Sequence, residues 1–150
     1  MAVKNHVTLE FPAIAQNVEF ARVAVACFAS QIDSFTMEEI DDIKLVVSEA
    51  VSNVVLHAYE NPGGLVRIRV AAEDTTLTVS VEDEGRGIAD VNLARQPAFT
   101  TAPDRMGMGF TIIEALSDEM DVSSAPGAGV RVTMKKAPRG PGSEANEQGT

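Results

Sequence analysis

Three short stretches of this chain carry residue types and spacings that suit chemistry. In "SEAVSNVVLHAY", residues 48–59, Glu49 and Asn53 interrupt an apolar run four positions apart. On a helix such a pair shares one face, about 6 Å apart on adjacent turns. In "VEDEGRGI", residues 81–88, a strand pattern ends at Asp83 and is followed by Gly85 and Gly87. A carboxylate there can accept a hydrogen bond from an exocyclic amine, and glycines let a flat ligand approach the backbone. In "RMGMGF", residues 105–110, Gly107 and Gly109 fall where a helix begins. The free N–H groups and dipole of a helix start bind anions without a lysine. Each stretch also has a plainer reading: a solvated polar stripe, a tight turn, and a close helix–sheet contact.

The elements that must position these residues follow from periodicity. "HVTLEF", residues 6–11, alternates as a first strand, and residues 17–31 place Val18, Ala21, Val25 and Phe28 at helical spacing. Thr36 followed by Glu39 is a capping box, opening a long helix that "NPGG", residues 61–64, terminates. On that helix Ile40, Ile43, Val47, Ala50, Val51, Val54 and Ala58 form a broad core face. Glu49 and Asn53 lie roughly opposite, flanked by Leu45, Val46 and Leu56. Such flanks suggest a helix covered on both sides, with the polar pair bordering a cleft or interface. "LVRIRVAA" and "TLTVSVED" read as a hairpin turning around Asp74. A short helical piece near Val91–Arg95, a loop holding Pro97 and Pro103, a helix from about Met108 and a final hairpin, "MDVSS" to "VRVTMKK", complete the pattern. Hairpins without strict βαβ alternation define an α+β fold, a two-layer sandwich of a mixed, mostly antiparallel sheet with helices on one face.

Composition narrows the function classes. The chain has 150 residues and a net charge of −10, with no basic patch, which argues against nucleic-acid binding. No apolar run is long enough to span a membrane and no secretory h-region opens the chain, so a cytoplasmic protein is expected. Cys27, flanked by Ala26 and Phe28, reads as a small core residue. The glycine patterns match neither a P-loop nor a Rossmann fingerprint. The tail, residues 137–150, is rich in glycine, proline and polar residues and is expected to be disordered.

Singly the three patterns are weak; their order is specific. E-x-x-x-N on a helix, D-x-G-x-G after a strand, a proline-containing loop and G-x-G-F opening a helix resemble the ATP-binding domain of the gyrase, chaperone, histidine-kinase and mismatch-repair (GHKL) superfamily, the Bergerat fold. "FARVAVACFASQID", "VVSEAVSNVVLHAYE", "ARQPAFTT" and "GMGFTIIE" further resemble the sporulation-type anti-sigma factors. Those are serine/threonine-protein kinases that bind an RNA polymerase sigma factor and phosphorylate an anti-anti-sigma (STAS-type) protein. The resemblance spans residues 1–136. General-stress anti-sigma kinases are close relatives of the same pattern.

The resemblance implies a set of roles. Asn53 would bind the Mg2+ that bridges the phosphates of ATP, and Glu49 would be the general base for the attacking serine. Asp83 would read the adenine amino group, with Gly85 and Gly87 packing against the base. The loop from about Gln96 to Met106 would be the ATP lid, with Thr100 near the nucleotide. Arg105 would contact the β- or γ-phosphate, and Gly107 and Gly109 would offer N–H groups. Arg22 on the first helix would touch protein partners, and a homodimer is expected. His57 and Tyr59 are expected to pack. The lid is about two residues shorter than in the sporulation kinases, and Arg131 stands where the family usually has threonine. A module that binds nucleotide and sequesters sigma without phosphoryl transfer is the alternative, with Glu49 as the discriminating feature.

Overall fold

Side-chain alternation decides the sheet. Val66, Ile68, Val70 and Ala72 on one strand and Leu77, Val79 and Val81 on the next are at most 4% exposed, while the residues between them face outward. The structure, a computed structural model, describes residues 4–88 and 106–140, with the backbone alone for 106–108. Its elements are β1 (Lys4–Pro12), α1 (Gln16–Ala29), α2 (Met37–Asn53), a π-helical turn (Val54–Ala58), β2 (Leu65–Glu73), β3 (Thr76–Asp83), α3 (Met106–Leu116), β4 (Glu119–Ser124) and β5 (Val130–Lys136). The strands order as β1-β2-β3-β5-β4, every ladder antiparallel. This is the expected α+β, two-layer sandwich.

The three helices cover the apolar face of the sheet. Ala21, Val25, Phe28 and Ala29 of α1, Ile43, Val46, Val47 and Val51 of α2, and Phe110 and Ile113 of α3 join the sheet residues in one core. The opposite face is polar: Arg67 bonds Glu10 (2.9 Å) and Glu82 (3.1 Å), and Ser80 pairs with Thr133 across β3 and β5. Asp74 makes the tight β2–β3 turn with φ of 56°. Among the described residues no helix is long and apolar enough to cross a membrane.

The capping box forms as the sequence requires. Thr36 Oγ1 accepts the Glu39 N–H (3.1 Å), and Glu39 Oε1 accepts the Thr36 N–H (3.0 Å). Glu39 is buried, and its second oxygen accepts the N–H of Arg139 (3.1 Å), tying the chain beyond β5 to the start of α2.

Three expectations change. The long helix does not continue as α to its end: its last five residues widen into the π-helical turn. Cys27 is exposed, not part of the core. The core stripe of α1 runs through Ala21, Val25, Phe28 and Ala29, which leaves Cys27 with Phe20 and Val23 on the outer side. Nor is α2 covered all round: Val46 is buried, but Leu45 and Leu56 are 43% and 57% exposed among the described residues. The segment 89–105, with the short helical piece and the lid, lies outside the described residues.

Removing the Thr36 hydroxyl deletes one cap bond, worth about 1 kcal/mol. Thr36→Ala should lower the melting temperature by roughly 2–4 °C in thermal denaturation. A variant that melts with the wild type would show that the cap does not support α2.

Candidate functional site

On the helical side of the sheet the end of α2 meets the start of α3, and the π-helical turn that follows α2 meets the turn after β3. Asn53 is the last residue of α2 and is 9% exposed. Its Nδ2 is buried and has no hydrogen-bond partner among the described residues. Gly109, in the first turn of α3, lies directly against it: a Cβ there would sit 2.9 Å from Nδ2 and 3.2 Å from Oδ1. An unpaired buried amide costs roughly 1–3 kcal/mol, so a persistent one marks a place that an external ligand can satisfy. Glu49 stands one turn earlier on the same face, half-buried.

Past Asn53 the π-helical turn carries the chain to Ala58. Such turns gather at functional sites because they re-aim the backbone. The Ala58 carbonyl accepts the N–H of Arg86 (2.8 Å), which pins the turn after β3 to the end of the helix. Only glycine fits between them, since a Cβ at Gly85 would lie 2.1 Å from that carbonyl oxygen. Gly87 follows with φ of 75°, in the left-handed region. Ser124 holds the turn from the other side: its Oγ accepts the Ile88 N–H (2.8 Å) and donates to the Gly129 carbonyl (2.5 Å). The N–H groups of Gly127 and Gly129 donate to the carbonyls of Arg86 (2.7 Å) and Gly85 (3.1 Å).

Asp83 closes β3 in phase with Val79 and Val81, so its side chain faces the helices and is 9% exposed. Its Oδ1 accepts the Gly85 N–H (2.8 Å). Burial pushes this carboxyl above the usual aspartate value of 3.8, outweighing the backbone N–H groups of Gly85 and Val130, which stabilise the charge. The result is a desolvated acceptor at the rim of the helical side.

The structure therefore brings Asn53 to Gly109 and places Asp83, Gly85 and Gly87 in one turn bonded to the helix end. Gly107 lies in the first turn of α3. Thr100 and Arg105 lie outside the described residues. Arg22 sits apart on α1, its Nε 2.7 Å from Glu19 Oε2. Arg131 is exposed and pairs opposite Glu82 in the β3–β5 ladder. The Ala58 carbonyl and Ser124, which anchor the turn, carry no signal in the sequence. A backbone carbonyl has no side-chain signature, and Ser124 looks like any strand-end serine.

This arrangement of helix end, glycine turn and helix start defines a class. The profile of the histidine kinase-like ATPase domain matches residues 11–136, and the chain belongs to that family, a nucleotide-binding, kinase-type domain. Its curated relatives are narrower. It is 48% identical over 136 residues to the anti-sigma F factor of Clostridium acetobutylicum, covering 89% of this chain and 94% of that protein. It is 48% identical over 137 residues to the anti-sigma F factor of Bacillus subtilis (strain 168), covering 89% and 93%. Among solved structures, the RsbU and RsbW domains of Rv1364c from Mycobacterium tuberculosis superpose with a TM-score of 0.64 at 20% identity, over 89% of this chain and 32% of that one. A histidine kinase domain from Erythrobacter litoralis EL346 gives 0.54 at 23% identity, over 81% and 61%. These two likenesses bear on the fold alone.

Two consequences are testable. Gly85→Ala forces a methyl into the Ala58 carbonyl and should cost about 1–3 kcal/mol, with nucleotide affinity lost alongside. Wild-type melting and binding in that variant would refute the close approach. Because Asp83 has a raised value when folded, the native state holds its proton more tightly than the unfolded chain does. Its contribution thus favours folding below the raised value and is lost as pH rises through it. In urea titrations from about pH 7 to pH 4, wild type should gain stability relative to Asp83→Asn as pH falls. A relative loss over that window would contradict a desolvated carboxylate.

Proposed function

We propose that this chain is an anti-sigma factor of the cytoplasm. It binds ATP with Mg2+ in the cleft between α2, β3 and α3 and phosphorylates a serine on an anti-anti-sigma partner. The observation that carries this reading is the buried, unpartnered Asn53 Nδ2, a donor suited to a phosphate oxygen, closed over by Gly109, with Asp83 desolvated at the far end of the same helix–turn unit. The names of the curated relatives supply the sigma factor as partner.

The residues present fit Mg2+ and a nucleotide. A single carboxamide oxygen suffices as a protein ligand, because Mg2+ usually keeps several waters and takes few protein donors. Bound there, the metal would neutralise phosphate charge during transfer. Asp83 would accept the adenine amino group, and Gly107 and Gly109 would offer the N–H groups of α3's first turn to the phosphates. Arg105 would contact the terminal phosphates and Thr100 would lie by the nucleotide. Glu49, one turn from Asn53, would take the serine proton as that oxygen attacks. Arg22, beside the exposed Val23, would lie on the surface that meets sigma and anti-anti-sigma proteins in a homodimer.

Labelled ATP, Mg2+ and candidate anti-anti-sigma proteins test the chemistry directly. Serine on one partner should be labelled, and Glu49→Ala should cut labelling by at least about 100-fold while ATP still binds. Full transfer by that variant would remove Glu49 as the base, and no transfer by wild type to any partner would leave a sequestering module. Asn53→Ala should weaken Mg2+-dependent ATP binding roughly ten-fold. Arg22→Ala should lose sigma binding with nucleotide affinity intact; retained sigma binding would remove Arg22 from the interface.

A further inference from the structure

Tyr59 does more than pack. It ends the π-helical turn with extended backbone, φ of −124° and ψ of 135°. Its hydroxyl donates to the Leu65 carbonyl (2.7 Å) and accepts the N–H of Glu84 (2.9 Å). Its ring lies against Gly64, where a Cβ would sit 2.3 Å from two ring carbons. Glu84 follows Asp83 directly, and Arg86 is two residues further on. Ala58 and Tyr59 therefore grip the N–H groups on either side of Gly85, one by its carbonyl and one by its phenol. The N–H between them, that of Gly85, is the one bonded to Asp83 Oδ1.

We infer that Tyr59 is a positioning residue for base selection. Its phenol fixes the main chain at Asp83–Glu84 relative to the end of the helix that bears Asn53. The span between the phosphate end of the site and its base end is then set by one rigid unit: helix end, phenol, strand end. Without the hydroxyl, Glu84 is exposed and its N–H turns to water. The turn would keep its attachment at Arg86 and the pairing of Asp83 with Val66, but lose the phenol bond at Glu84, the residue after Asp83. A small displacement of a recognition group is enough to weaken discrimination while leaving contacts elsewhere in the site intact. The inference rests on the nucleotide reading above, and it adds a residue that contacts neither base nor phosphate.

Tyr59→Phe tests it, because the ring stays on Gly64 and only the hydroxyl is lost. Calorimetric titrations of the full chain with ATP, GTP and inorganic tripolyphosphate, each with Mg2+, separate base from phosphate recognition. Wild type should prefer ATP to GTP. In the variant ATP affinity should fall roughly five-fold while GTP and tripolyphosphate stay within about two-fold, so the ATP-to-GTP ratio collapses. An equal loss for all three ligands would mean a general structural role and overturn the inference, as would an unchanged ratio. Wild type that binds none of the three ligands overturns the nucleotide reading itself. Wild type that selects ATP, matched by Tyr59→Phe, overturns only the role of Tyr59.

Discussion

The contact on which the site depends is between a carbonyl at the end of a helix and a residue without a side chain. Ala58 and Gly85 approach so closely that no other residue fits at position 85, and the Arg86 N–H seals the contact. That junction joins the two halves of the sandwich at one edge. It fixes where the strand carrying Asp83 ends relative to the helix carrying Asn53. The glycine turn, the β4–β5 tip and Ser124 all attach to it.

The buried polar groups divide along the same line. Glu39 and Lys136 are more deeply buried than Asn53, yet each has partners: Glu39 accepts two backbone N–H groups, and Lys136 Nζ donates to the Leu116 carbonyl (2.8 Å). They hold helix ends and the chain after β5 in place. Asp83 accepts bonds from Gly85 in its own turn and from Val130 of β5, and remains destabilised as a charge. The Asn53 Nδ2 has no partner among the described residues. The partnered burial of Glu39 and Lys136 is architecture here, whereas Asn53 Nδ2 stands unpartnered where α2 meets α3.

Much of this was legible in the residues. The alternation of Val66/Ile68/Val70 with Arg67/Arg69 assigned sheet faces, because a period of two admits one solution when one face is buried. The Thr36–Glu39 pair located the start of α2 for an equally local reason. What stayed hidden was partly local and partly not. Cys27 sits among apolar neighbours in sequence, but helical phase turns it outward with Phe20 and Val23. The widening at Val54–Ala58 has no marker, since its residues suit an α-helix equally well. The pairing of Asn53 with Gly109 depends on how two helices separated in sequence by β2 and β3 come together.

The π-helical turn has a further consequence. A π-type bond spans five residues instead of four, so the segment adds a fraction of a turn without adding a loop. It works as a phase shifter: the orientation of Asn53 is set by α2, while the orientations of Ala58 and Tyr59 are set independently one turn later. Asn53, which faces α3, and Ala58, which faces the glycine turn, are thus each aimed from a single continuous rod. Returning Val54–Ala58 to ordinary α geometry would change the direction in which Ala58 and Tyr59 leave the rod relative to Asn53.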